Sequence, residues 1–133
     1  KGLGPLLPLF DHLITTLVRD LDRHDILDEV LVIAMGEFGR TPNLGTQGST
    51  DGRDHWPFIS SMALAGGGLR HGQVIGSSDN DGGQIKSRPV SPADLAATIY
   101  RHMSVPLDTT YLDHRGRPNY VVDGGVPIGE LFG

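Results

Sequence analysis

The feature that most constrains this chain is Val30-Leu31-Val32-Ile33-Ala34-Met35, an uninterrupted apolar run rich in β-branched residues. It is too short for a stable helix of its own, and its composition suits an extended backbone. A run of this kind reads as a strand buried on both faces, the central-strand pattern of an α/β sheet. It passes directly into residues 36–56, which are polar and rich in glycine. In open α/β sheets ligands gather beyond the carboxyl ends of strands, where loops converge and helix N-termini aim their amides. Any chemistry is therefore expected in residues 36–56.

The flanking elements fit the same class. Leu6, Leu9, Phe10, Leu13, Leu17 and Leu21, supported by Ile14 and Val18, recur at helical spacing, with Thr15, Arg19 and Arg23 opposite. This predicts a helix with one buried face. A second apolar run, residues 58–65, ends in Gly66-Gly67-Gly68 and reads as another central strand; Gln73-Val74-Ile75 reads as an edge strand. Residues 76–92 are predicted to be loop, with a brief extended piece at Arg88-Pro89-Val90. Ser91-Pro92-Ala93-Asp94 then has the form of a helix start: a capping serine, proline at the first helical position, and an acid at the positive end of the dipole. That helix should run through Leu95, Ile99 and Met103 and stop before Val105-Pro106. The turn-rich remainder, around Tyr120-Val121-Val122, predicts a small hairpin or a wrapping tail.

The order helix, strand, strand, helix predicts an α/β layer arrangement, a small sheet of about three strands flanked by helices, with at least one open edge. Either the missing strands lie upstream in a longer parent, or another copy of the chain covers the edge as a homo-oligomer. At 133 residues the chain is enough for one domain with a single core. It begins with Lys1 and has no signal-peptide pattern, so a piece cut from a longer product is expected.

Composition narrows function mainly by exclusion. A formal charge of −5, with no Lys/Arg cluster longer than a pair, argues against nucleic acid as a partner. The absence of cysteine excludes thiolate nucleophiles, cysteine zinc sites and disulfides. No apolar run approaches the roughly 20 residues of a membrane span.

Within residues 36–56 the chain places Glu37, Arg40, Asp51, Arg53, Asp54 and His55. His55 can supply nitrogen, and Glu37 or Asp54 oxygen, to a divalent metal such as zinc, calcium or manganese. Arg40 and Arg53 suit an anion, because guanidinium meets phosphate or sulfate oxygens as a bidentate fork. The plainer alternative has Glu37 pairing with Arg40, Asp54 capping a turn, and His55-Trp56-Pro57 packing as structure. Elsewhere His71 and His102 read as structural, and His12, His24 and His114 as surface residues. Asp79-Asn80-Asp81-Gly82-Gly83 resembles the first half of a calcium loop, but Val90 stands where the closing glutamate belongs, so a solvated turn is expected. Gly66-Gly67-Gly68 lacks the Lys-Ser/Thr of a phosphate loop.

Four ordered motifs carry a family likeness: Gly36-Glu37-Phe38-Gly39-Arg40-Thr41-Pro42, Gly52-Arg53-Asp54-His55-Trp56-Pro57, Ala65-Gly66-Gly67-Gly68, and Val90-Ser91-Pro92-Ala93-Asp94-Leu95-Ala96-Ala97-Thr98. Over roughly residues 6–131 the chain resembles the C-terminal half of DUF1501 proteins, a bacterial family abundant in planctomycetes and similar to sulfatases and the alkaline phosphatase superfamily. The resemblance implies a partial alkaline phosphatase-like fold and a phosphoric or sulfuric ester hydrolase-like parent. Its nucleophile lies outside this chain, so the fragment is expected to be inactive alone. On this likeness the metal-binding Asp-His pair falls on Glu37-Phe38, where the imidazole is lost, and the later metal histidine corresponds to His55. A twin-arginine signal, common in the family, implies an exported or periplasmic parent. Three readings follow: a metal-dependent ester hydrolase fragment; a non-catalytic domain that binds an anionic or sulfated glycan or a partner protein; and a structural loop without a ligand.

Overall fold

The computed structural model describes residues 3–46, 48 and 50–133. Its first element, α1 (Leu3–Arg23), follows the apolar periodicity and ends with Arg23 at the negative pole of the helix. The expected burial does not occur. Leu6, Leu9, Phe10, Leu13 and Leu17 remain 40–61% exposed, and only Ile14, Val18 and Leu21 are partly covered. The physical reason is a shortage of partner surface. Among the described residues the main element against α1 is the 3₁₀ turn Leu27–Glu29, which cannot roof a helix of about 30 Å.

Strand β1 (Leu31–Met35) forms as expected, but with one neighbour. Two short strands, β2 (Gly39–Arg40) and β3 (His55–Trp56), come next, and then β4 (Met62–Gly66), which pairs antiparallel with β1 from Leu31↔Gly66 to Met35↔Met62. Alternation puts Leu31, Ile33, Met62 and Leu64 on one face and Val32, Ala34, Ala63 and Ala65 on the other. Leu31 and Leu64 pack on the core of Leu69, Ile128 and Leu131, joined by Ile75, Val90 and Phe132. Val32, Ala34, Ala63 and Ala65 stand outside that cluster. Full burial of β1 on both faces is thus corrected to partial cover, Leu31, Val32, Ile33 and Ala34 being half-buried and Met35 exposed, because little packs against a sheet of two strands.

β4 starts later than residue 58. The backbone before it is drawn to the preceding loop instead: Gly39 N–H donates to Ile59 O at 2.7 Å and Ser60 Oγ to Gly36 O at 3.2 Å. At its far end Gly66 holds φ of +73°, where a Cβ would lie 2.6 Å from the Leu27 carbonyl oxygen, so the turn out of the strand requires glycine.

Residues 73–75 are not a strand; Gln73 Nε2 donates to the carbonyls of Arg70 and Glu130 at 2.9 and 2.8 Å. The predicted loop 76–92 instead contains a hairpin, β5 (Ser77–Ser78) with β6 (Ile85–Ser87). Helix α2 (Pro92–His102) carries a full capping box, Ser91 Oγ accepting from Asp94 N–H while the Asp94 carboxylate accepts from Ser91 N–H. The other oxygen of Asp94 accepts the Val126 N–H at 2.8 Å, and Thr98 Oγ1 accepts the Ile128 N–H at 2.9 Å. These two bonds fasten the tail to the helix. The expected hairpin is β7 (Thr110–Leu112) with β8 (Pro118–Tyr120), centred slightly before residues 120–122. Arg88 clasps Glu130 with two bonds of 2.6 and 2.8 Å, pinning the tail again; hydrogen bonding from Arg88 holds the Glu130 carboxyl down at about 2.

The class is α/β. Among the described residues, however, the strands form four antiparallel pairs, not one sheet of three. No helix among the described residues is long and apolar enough to cross a membrane.

Candidate anion-facing ribbon

β1 releases the chain at Met35 into the segment the sequence singled out. The segment is less loop-like than expected, because β2 and β3 pair antiparallel, Gly39 opposite Trp56 and Arg40 opposite His55. Thr41, only 2% exposed, extends the ladder: its N–H donates to Asp54 O at 2.9 Å and its Oγ1 accepts the Asp54 N–H at 3.0 Å. The same hydroxyl donates to Asn43 O at 3.0 Å. Gly45 N–H to Gly52 O at 3.0 Å narrows the tip. A single buried threonine therefore closes the ribbon where the ladder itself ends.

Directly opposed residues of an antiparallel pair project to the same face. Arg40 and His55 accordingly stand side by side on one exposed face of the ribbon. Phe38 joins them, its ring 5.4 Å from that of His55 and tilted by 40°. On the other face lies Trp56, edge-on to Phe58 at 4.8 Å, with its Nε1–H donating to Gly83 O at 2.7 Å. Arg53 is exposed beside the tip, and Glu37 is exposed just after β1. Among the described residues, Glu37 and Arg40 make no ion pair with each other, and neither arginine of the segment has a salt-bridge partner.

Asp54 Oδ2 is buried without a hydrogen-bond partner. An orphaned carboxylate oxygen is costly to bury and is the one atom here that calls for a cation or a proton donor. The other expected ligands do not converge on it. Asp54 and His55 are consecutive in extended chain, so their side chains leave opposite faces. Among the described residues no group of three or more imidazole or carboxylate side chains gathers into a cation site. These residues do not fit a complete metal shell. They do bring a guanidinium and an imidazole together.

Three contributors were not foreseen in the sequence: Thr41 as the closure, Phe38 as the ring against His55, and the Asp79–Gly83 turn as a neighbour. That turn is not simply solvated. Asp79 Oδ1 accepts the Gly83 N–H at 2.7 Å, and Gly83 is buried beside Pro42. The signal was present as Gly82-Gly83, a pair whose small size allows close approach of another segment.

A mixed α/β protein with an exposed arginine-histidine ribbon after its main strand is the class that fold and site define. The DUF1501 family model, described as a protein of unknown function, matches residues 1–132, and the chain belongs to that family. No curated protein and no solved structure matches the chain.

Proposed function

We propose that residues 36–56 form the anion-holding part of a phosphoric or sulfuric ester hydrolase-like site, in a chain that acts as the C-terminal portion of a larger alkaline phosphatase-like domain and does not turn over substrate by itself. The observation that carries this reading is the cross-strand placement of Arg40 beside His55. A tetrahedral anion can accept a guanidinium fork and an imidazole N–H at the same time, and Arg53 is near enough in sequence to meet the remaining ester from the tip. The bare stripe of α1 and the unpaired edge of β1 are where the rest of such a domain, or a second copy, would pack. An exported location follows from the same family reading.

A divalent ion in such an enzyme acts as a Lewis acid on the ester oxygen. On this chain Asp54, through its orphaned Oδ2, is the residue that would meet one, and the rest of the shell would have to come from outside this chain, because His55 leaves the opposite face. No catalytic step of this chain depends on it.

A second reading is favoured by one observation. Phe38 is 45% exposed on the same face of the ribbon as Arg40 and His55, a ring suited to the apolar face of a sugar. On that reading the site holds an anionic or sulfated glycan without cleaving it. The experiment is calorimetric titration of the full-length protein with inorganic sulfate and phosphate, alongside assays on aryl phosphate and aryl sulfate esters and a metal analysis. Binding that Arg40→Ala and His55→Ala each weaken at least tenfold, with turnover, supports the hydrolase reading. The same binding without turnover or metal supports the glycan reading. Absence of anion binding refutes both.

A further inference from the structure

The ribbon is gripped from behind by a segment that no functional reading has used. Trp56 and Gly83 are 27 positions apart, yet the indole N–H donates to the Gly83 carbonyl at 2.7 Å. Gly83 has no room for a side chain: a Cβ there would lie 2.7 Å from Pro42 Cγ. The turn that presents Gly83 is held by its own bonds, Asp79 Oδ1 accepting from Gly83 N–H at 2.7 Å and Asp79 N–H donating to Gln84 O at 3.0 Å. Beneath it β5 and β6 are joined by a Ser77–Ser87 hydroxyl contact of 2.7 Å.

These contacts fall on both strands of the ribbon. Trp56 belongs to β3, next to His55, and Pro42 follows Arg40 and Thr41 at the end of β2. A ladder of two residues per strand has little stiffness of its own, so the spacing and twist of its strands depend on what they pack against. We propose that the Asp79–Gly83 turn sets the anion affinity of the Arg40–His55 pair, with Trp56 as the positioning residue that transmits it. This rests on the anion-holding reading above. The latch holds the guanidinium and the imidazole at a fixed separation before any ligand arrives, which reduces the ordering that binding would otherwise require.

The test uses the full-length protein, with inorganic sulfate as the probe. Trp56→Phe keeps an aromatic ring against Phe58 and removes the N–H donor with part of the indole; Gly83→Ala pushes the turn off Pro42. Each should weaken sulfate binding about fivefold, the scale of one neutral hydrogen bond. The His55 ring signals in NMR, displaced by the Phe38 ring, should shift toward unstructured values, while the Asp94 amide in the α2 cap should not move. A purely structural role would lower the melting temperature without that selective shift.

If the unmodified protein binds sulfate and both variants bind it equally well, the latch is overturned and the anion reading survives. If affinity falls only in proportion to the unfolded fraction, measured by circular dichroism, the latch is likewise overturned. If the unmodified protein binds neither sulfate nor phosphate, the anion reading fails and takes the latch with it.

Discussion

Replacing Thr98 by valine isolates one buried hydrogen bond. Thr98 is fully buried; its Oγ1 donates to Asp94 O at 2.7 Å and accepts the N–H of Ile128 at 2.9 Å. Valine has nearly the same shape, so the packing around Ala97, Leu95 and the tail is kept. The Asp94 carbonyl retains the ordinary helical N–H from residue 98. The N–H of Ile128 keeps nothing, and leaving a buried donor unsatisfied costs about 1–3 kcal/mol. With a central value of about 2 kcal/mol, a domain of this size should melt lower by about 4–8 °C. Thr98→Ser keeps the hydroxyl and loses one methyl, a deletion worth about 1 kcal/mol. The expected order is therefore valine more destabilising than serine, although valine preserves more apolar volume. Urea denaturation of both variants measures it, with amide exchange at Ile128 as the local readout. The reasoning is refuted if serine is the more damaging substitution, or if valine changes stability by less than about 0.5 kcal/mol, the scatter of ordinary surface changes.

Gly67 holds φ of +67°, with His102 Cε1 only 2.9 Å and Leu31 Cβ 3.0 Å from where a Cβ would stand. Gly67→Ala combines backbone strain with overpacking and is expected to destabilise by about 2–4 kcal/mol, measured by thermal melts. The pH response follows from the Arg88–Glu130 clasp. Hydrogen bonding from Arg88 depresses the Glu130 carboxyl to about 2, so its contribution is present above the ordinary carboxylate range and disappears as pH falls through about 2. Asp94, lowered by the Val126 and Ser91 N–H groups, and Asp113, lowered chiefly by Arg117, act with the same sign. Melting temperature should thus fall on acidification below about pH 4.5, the Glu130→Gln variant should show a shallower fall, and added salt should shrink the difference because the pair is half exposed.

The parts legible in sequence were those fixed by local chemistry. The Ser91 start of α2 follows from capping geometry, down to the roles of Pro92 and Asp94. The strand at residues 31–35 and the helix through Leu21 follow from periodicity. Burial is not legible in the same way, because periodicity reports which face is apolar, not whether anything covers it; α1 and β1 each have the right pattern and too little partner. The ribbons β2–β3 and β5–β6 are two or three residues per strand, below the length at which alternation is visible. β4 starts later than its apolar run because Ile59 and Ser60 look like strand residues but spend their polar groups on Gly39 and Gly36. In the candidate site the residue types were named from sequence, but the sharing of one face by Arg40 and His55 depends on register, and the Trp56–Gly83 bond spans 27 positions.

The carboxylate of Asp94 joins the opening turn of α2 to Val126, 32 positions later, and Thr98 repeats the join one turn further on. A helix usually frays first at its ends, each end opening independently of distant chain. Here the first turn of α2 cannot open without releasing the tail, and the tail carries Ile128 and Leu131 out of the core when it leaves. The start of α2 and residues 126–131 should therefore exchange their amide hydrogens as one cooperative foldon, with matched protection and a matched response to denaturant.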